Sequence, residues 1–227
     1  MTQPPQGIEE QKHALVVRIA HWLMALSILV MIGSGWRIYN ASPIFPFRFP
    51  DWLTLGGDVD TALARHNDPG VASAIAWHLA GMWVLVACYL LFVLWGVLSG
   101  HFRRDFLPVT PRSFGRDFIA AARFRLPHKL GEYNAVQKLF YWAVLLAVLV
   151  MILSGIAIWK PVQTYPLELL FGGFQGARVI HFLAMTGIVL FLLVHVALVI
   201  LVPRTLLAMI VGRATAPAHA VGPEALP

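Results

Sequence analysis

Charge is scarce in this sequence. Asp, Glu, Lys and Arg make up 12% of its 227 residues, about half the share of an ordinary soluble domain. Hydrophobic residues make up 59%, so too little polar surface exists to cover a water-soluble globule. Cysteine is nearly absent, Cys88 standing alone. That excludes an internal disulfide framework, a Cys-based zinc site, an iron–sulfur cluster held by this chain alone, and a covalent Cys-x-x-Cys-His haem. The basic excess, 17 Lys and Arg against 11 Asp and Glu, reads as membrane topology and not as a nucleic-acid footprint.

What is abundant is long uncharged runs. Four are present: Ile19 to Trp36, Val71 to Gly100, Leu139 to Trp159 and Val179 to Pro203. A spanning helix needs about 20 mostly apolar residues. With snorkelling ends, the expected spans are 15–39, 71–100, 136–159 and 178–203. The first is too long for a signal-peptide core, has no cleavage site after it, and is bracketed by Trp22 and Trp36. The loop 101–135 and its edge carry Arg103, Arg104, Arg112, Arg116, Arg123, Arg125, Lys129 and Lys138. The positive-inside rule puts that loop, and with it both termini, in the cytoplasm. The outer loop, 40–70, is rich in Pro and aromatics, and that composition predicts folding or docking. Thr205 to Arg213 suggests a short interfacial helix, and 214–227 reads as a disordered tail. One domain, 1–213, is expected. Trp22, Leu26, Leu29, Val30, Met31, Ile32, Ser34 and Gly35 recur 120 positions later as Trp142, Leu146, Leu149, Val150, Met151, Ile152, Ser154 and Gly155. Either a two-helix hairpin was duplicated or the small alphabet of membrane helices repeats itself.

Four of nine histidines, His21, His78, His181 and His195, fall inside spans. Ionisable groups there are costly, and they mark functional sites unless packing hydrogen bonds account for them. His181 and His195 are 14 residues apart on one span, about 21 Å along the axis and on nearly the same side. His78 matches His181 in depth on the outer side; His21 matches His195 near the cytoplasm. Two imidazoles facing each other across a bundle fit the axial positions of a six-coordinate b haem. Zinc wants three or four ligands, and copper with two imidazoles is poorly supported. Gly33, Gly35, Gly81, Gly155 and Gly187 offer room for a flat ring, or simply close helix packing.

These pieces resemble a known family. They are Arg18-Ile19-Ala20-His21-Trp22, Trp77-His78, the His181/His195 spacing, Gly131-Glu132-Tyr133-Asn134-Ala135-Val136-Gln137-Lys138, and Val211-Gly212-Arg213. The chain, over about residues 13–213, resembles the four-helix di-haem cytochrome b family. That family includes membrane subunits of nickel–iron hydrogenase, formate dehydrogenase and thiosulfate reductase, and bacterial cytochrome b561. The resemblance implies an all-α membrane protein with two non-covalent b haems between four spanning helices. His21 and His195 would hold the inner haem, and His78 and His181 the outer. It also implies a quinone site at Tyr133, Asn134, Gln137 and Lys138, although Asn134 with Gln137 equally fits a helix capping box. Arg18, Lys138 and Arg204 inside, and Arg37 and Arg178 outside, are candidate partners for haem propionates.

The expected function is electron transfer in the bacterial inner membrane. Electrons would pass between the quinone pool and a periplasmic molybdenum- or nickel–iron-type oxidoreductase, with lipid as solvent and no nucleic acid involved. The alternative is a stand-alone cytochrome b561 acting as a superoxide:quinone oxidoreductase. A transporter or proton channel is disfavoured, because buried acids and Pro-broken spans are missing.

Overall fold

The computed structural model describes residues 11–12, 15–56, 69–100, 102–103, 135–201 and 203–214. Its long helices are α1 (Leu15–Ala41), α2 (Pro69–Leu98), α3 (Ala135–Trp159) and α5 (Gly173–Leu201). All four are long and apolar enough to cross a membrane, as the uncharged runs predict. Two shorter helices, α4 (Tyr165–Leu170) and α6 (Pro203–Val211), flank α5. The helix α5 begins at Gly173, five residues before the expected 178. Gly172 and Gly173 both have positive φ, so the chain reverses there and the helix starts directly after the turn. Pro203 ends the span and opens α6, which suits proline at a first helical position.

Large apolar residues cover the outside of the bundle as well as its core. Small and hydroxylic residues (Ser27, Ser34, Ala74, Ser154, Ala157, Ala177) are buried, whereas Leu90, Leu94, Leu98, Leu193 and Leu201 face outward. In lipid, large apolar side chains gain nothing by leaving the surface, and small residues let helices approach closely. The helix α1 packs on α2, and α3 on α5, which gives two hairpins. They meet around Met31, Leu85, Tyr89, Val148, Met151 and Ile188, and the Tyr89 hydroxyl donates to the Leu145 carbonyl at 3.1 Å.

Before α1 and after α6, Gln11–Lys12 pairs antiparallel with Arg213–Ala214. Beyond Ala214, the expected tail lies outside the described residues. The Arg18 guanidinium donates to the carbonyls of Met209 and Ile210, and Trp22 Nε1 donates to Met209 at 3.3 Å. These carbonyls end α6 and have no partner within the helix. Arg18 thus ties α6 to α1.

The described part of the loop expected outside, residues 42–56, folds back. Asn40 accepts from Phe49 N at 2.9 Å and donates to its carbonyl at 2.8 Å. Phe49 stacks on Trp36 at 4.5 Å between ring centres, and Phe45 and Phe47 both lie against Phe182. Leu55 N donates to the Gly33 carbonyl, 3.0 Å away. Phe49 is seated on the protein's own helices, Phe45 and Phe47 touch Phe182 but stay 36% and 46% exposed, and Trp52 is 82% exposed.

Candidate functional site

The repeated Val-Met-Ile-x-Ser-Gly segment builds the His78/His181 level, called outer after the expected topology, twice. In α1, the Ser34 hydroxyl donates back to the Val30 carbonyl at 2.7 Å, and its oxygen lies 3.1 Å from Nδ1 of His78 on α2. In α3, Ser154 donates to Val150 at 2.7 Å, and its oxygen lies 3.1 Å from Nδ1 of His181 on α5. Each histidine also bonds the backbone one helical turn earlier: His181 Nδ1 is 3.0 Å from the Met151 carbonyl, and His78 bonds the backbone of Met31. A carbonyl only accepts, so His181 carries its proton on Nδ1 and leaves Nε2 with a lone pair. Gly35 and Gly155 complete the match. A Cβ on either would stand 3.3 or 3.2 Å from Cε1 of His78 or His181, so a larger residue would push the ring aside.

The two histidines face each other with ring centres 6.3 Å apart. An imidazole nitrogen binds a metal at about 2.0–2.1 Å and lies about 1.1 Å from its ring centre, so two rings bound axially to one metal have centres about 6.3 Å apart. Between the hairpins lies an apolar cavity of about 320 Å³, lined by His78, His181, Gly35, Gly155, Tyr39 and Arg178 among others. That is within the range of cofactor pockets. Among the described residues no three His, Cys, Asp or Glu side chains converge, which fits a macrocycle that brings its own four nitrogens better than it fits zinc.

The inner level repeats the spacing on a different scaffold. His21 on α1 and His195 on α5 also have ring centres 6.3 Å apart. His195 stacks on Phe191 at 5.6 Å, and His21 meets the edge of Trp22 at 5.5 Å.

Of the candidate quinone residues, Tyr133 and Asn134 lie outside the described residues, as do His101, His128 and most of the basic loop. Gln137 and Lys138 fall in the first turn of α3. Of the glycines, Gly33 meets Leu55, Gly81 meets Met31, and Gly187 faces open space; only Gly35 and Gly155 abut histidines. Arg178 lines the cavity and reaches the Ser42 carbonyl, whereas Arg37 is buried and does not line it. Ser34 and Ser154 were visible in the sequence only as members of the repeat. Their spacing one residue before a glycine was the available signal.

Comparison with known proteins is consistent with this arrangement. Residues 12–212 match the family described as prokaryotic cytochrome b561. The chain is 39% identical over 201 residues, 88% of its length and 96% of the relative's, to a putative protein-methionine-sulfoxide reductase subunit YedZ1 of Azospira oryzae. It is 26% identical over 198 residues, 79% of its length and 73% of the relative's, to a probable Ni/Fe-hydrogenase B-type cytochrome subunit of Bradyrhizobium diazoefficiens. A shorter stretch of 88 residues, 37% of the chain and 38% of the relative, is 30% identical to the cytochrome b556(Fdn) subunit of the nitrate-inducible formate dehydrogenase of Escherichia coli.

Proposed function

The chain belongs to the prokaryotic cytochrome b561 family, a family of membrane b-type cytochromes whose members include oxidoreductase subunits, and from that premise we propose that it is the di-haem electron-transfer subunit of a quinone-linked oxidoreductase. The carrying observation is the pair of histidine couples, each with ring centres 6.3 Å apart. In this reading His21 and His195 hold the inner haem, and His78 and His181 the outer. Haem supplies reversible one-electron transfer at each level.

The chain's own residues do the rest. The backbone bonds of His78 and His181, to Met31 and Met151, leave Nε2 as the ligating nitrogen. Arg178 and Tyr39, lining the outer end of the cavity, are the cation and hydroxyl available to acidic haem substituents. The cluster from Met31 to Ile188 keeps water out of the membrane centre between the levels. Tyr133, Asn134, Gln137 and Lys138 take the quinone beside the inner level, with donors for its carbonyls. Both termini face the cytoplasm of an inner-membrane protein, following the basic loop.

The partner is a periplasmic metallo-oxidoreductase of molybdenum or nickel–iron type. The relative at 39% identity is named as a methionine-sulfoxide reductase subunit, which favours outward flow. Two electrons and two protons then convert each sulfoxide to thioether and water, with quinol as donor. Trp52, exposed beyond the folded-back loop, is the natural docking contact. The stand-alone superoxide:quinone oxidoreductase is tested alongside.

A pyridine haemochrome assay on the purified chain should give two extractable b haems, and quinol should reduce both. One haem or none overturns the reading. Trp52→Ala should keep both haems and weaken co-purification of the oxidoreductase by at least tenfold, as for loss of an interface hot spot. Unchanged co-purification removes the docking role, and rapid reduction of the lone chain by superoxide favours the stand-alone enzyme.

A further inference from the structure

The duplicated segment leaves two hydroxyl groups that the electron-transfer reading does not require. Ser34 and Ser154 are completely buried. Each could satisfy its hydroxyl entirely within its own helix, through the bond to Val30 or Val150. That bond orients the hydroxyl hydrogen away from the histidine and turns the oxygen lone pairs toward Nδ1, 3.1 Å away in both hairpins. The Nδ1 of His181 also bonds the Met151 carbonyl, and His78 bonds the backbone of Met31. The two methionines are also 120 positions apart. The histidines come from α2 and α5, outside the recognised repeat, yet both halves produce one geometry.

We propose that Ser34 and Ser154 are paired positioning residues, each sharing the Nδ1–H of its histidine with the backbone of Met31 or Met151, so that the Nε2 of His78 and of His181 is fixed toward one outer haem whose reduction potential both hydroxyls help to set. The inference rests on the reading that this pair holds a haem. The physical reason is general: an acceptor on the far nitrogen of a ligating histidine fixes its tautomer and ring orientation and raises its basicity. A more basic ligand favours the oxidised metal. Removing one of the two acceptors should therefore raise the potential.

The test is redox-titrated visible spectroscopy of the full chain in detergent, with low-spin electron paramagnetic resonance of the oxidised form. The two haems are assigned through His21→Ala, which leaves the outer one. Ser34→Ala and Ser154→Ala should each keep two haems per chain and shift the outer midpoint upward by similar amounts. The double variant should shift it about twice as far, and the inner midpoint should stay in place. Ser34→Thr and Ser154→Thr, which restore the oxygen, should return the midpoint toward the starting value. Loss of the outer haem in the alanine variants with retention in the threonine variants supports the same role through occupancy. An unmoved outer midpoint, a shift from only one serine, an equal shift of the inner haem, or loss of haem in both sets overturns the proposal. If the unsubstituted chain itself lacks an outer haem, the failure lies with the haem reading and not with the serines.

Discussion

The outer and inner histidine pairs share one ring separation but reach it by different construction. The outer pair is symmetric. His78 and His181 each face a Ser-Gly step from the neighbouring helix of their own hairpin, with matching distances to a tenth of an ångström or so. The inner pair is one-sided. Shifting His21 by the repeat of 120 gives Tyr141, and shifting His195 by the 103 residues that separate His181 from His78 gives Phe92. The corner that symmetry would assign to a second inner site instead holds an aromatic cluster. Phe102 lies 5.8 Å from Phe92 and 5.7 Å from Trp142, against the bare face of Gly96. Repetition can specify a site on the axis between two hairpins once, with both halves contributing. A site off that axis has to be specified by single residues.

The sharpest way to break this comparison is to remove ligands. His78→Ala and His181→Ala should each abolish the same outer haem completely, and His21→Ala and His195→Ala the same inner haem, read as halved haemochrome yield and loss of one redox component. A common spectral loss from His21→Ala and His78→Ala means the pairs are wrongly drawn. Next in size are the glycines. Gly35→Val and Gly155→Val should each lower outer-haem occupancy severalfold and leave the inner haem intact, since their side chains would press on the histidine ring. If one glycine tolerates valine and the other does not, the outer site is not symmetric.

Smaller effects belong to the inner level. Asn134→Ala should slow quinol reduction of the inner haem about tenfold, the value of one lost hydrogen bond of about 1.4 kcal/mol, with haem content unchanged. Asn134→Asp and Asn134→Ser keep a helix cap. Full quinol reduction and inhibitor sensitivity in both would reduce Asn134 to capping. Smallest is the tie to α6. Arg18→Ala should speed amide exchange across Leu206 to Ile210 about fivefold, from loss of about 1 kcal/mol of local stability at a partly exposed contact. Unchanged exchange there means the Met209 and Ile210 carbonyls hold α6 without Arg18.

Depth along the membrane was legible in the chain because it is linear. A fixed rise per residue turns the interval from His181 to His195 into a distance, and uncharged run length into a span. Four spans, and histidines at two levels, therefore follow from counting. The repeat was visible as letters, but its meaning was not. Whether Ser34 stands behind His78 depends on the rotation of α1 against α2, which is set by side-chain packing and has no period in the sequence. The same holds for Arg18, whose reach to the carbonyls of α6 depends on how α1 and α6 pack, and for Phe49, whose stacking on Trp36 composition does not give. Composition and spacing fixed what crosses the membrane and at what height. Rotation about each helix axis, decided only when four helices pack together and bury their smallest residues, determined which atoms meet.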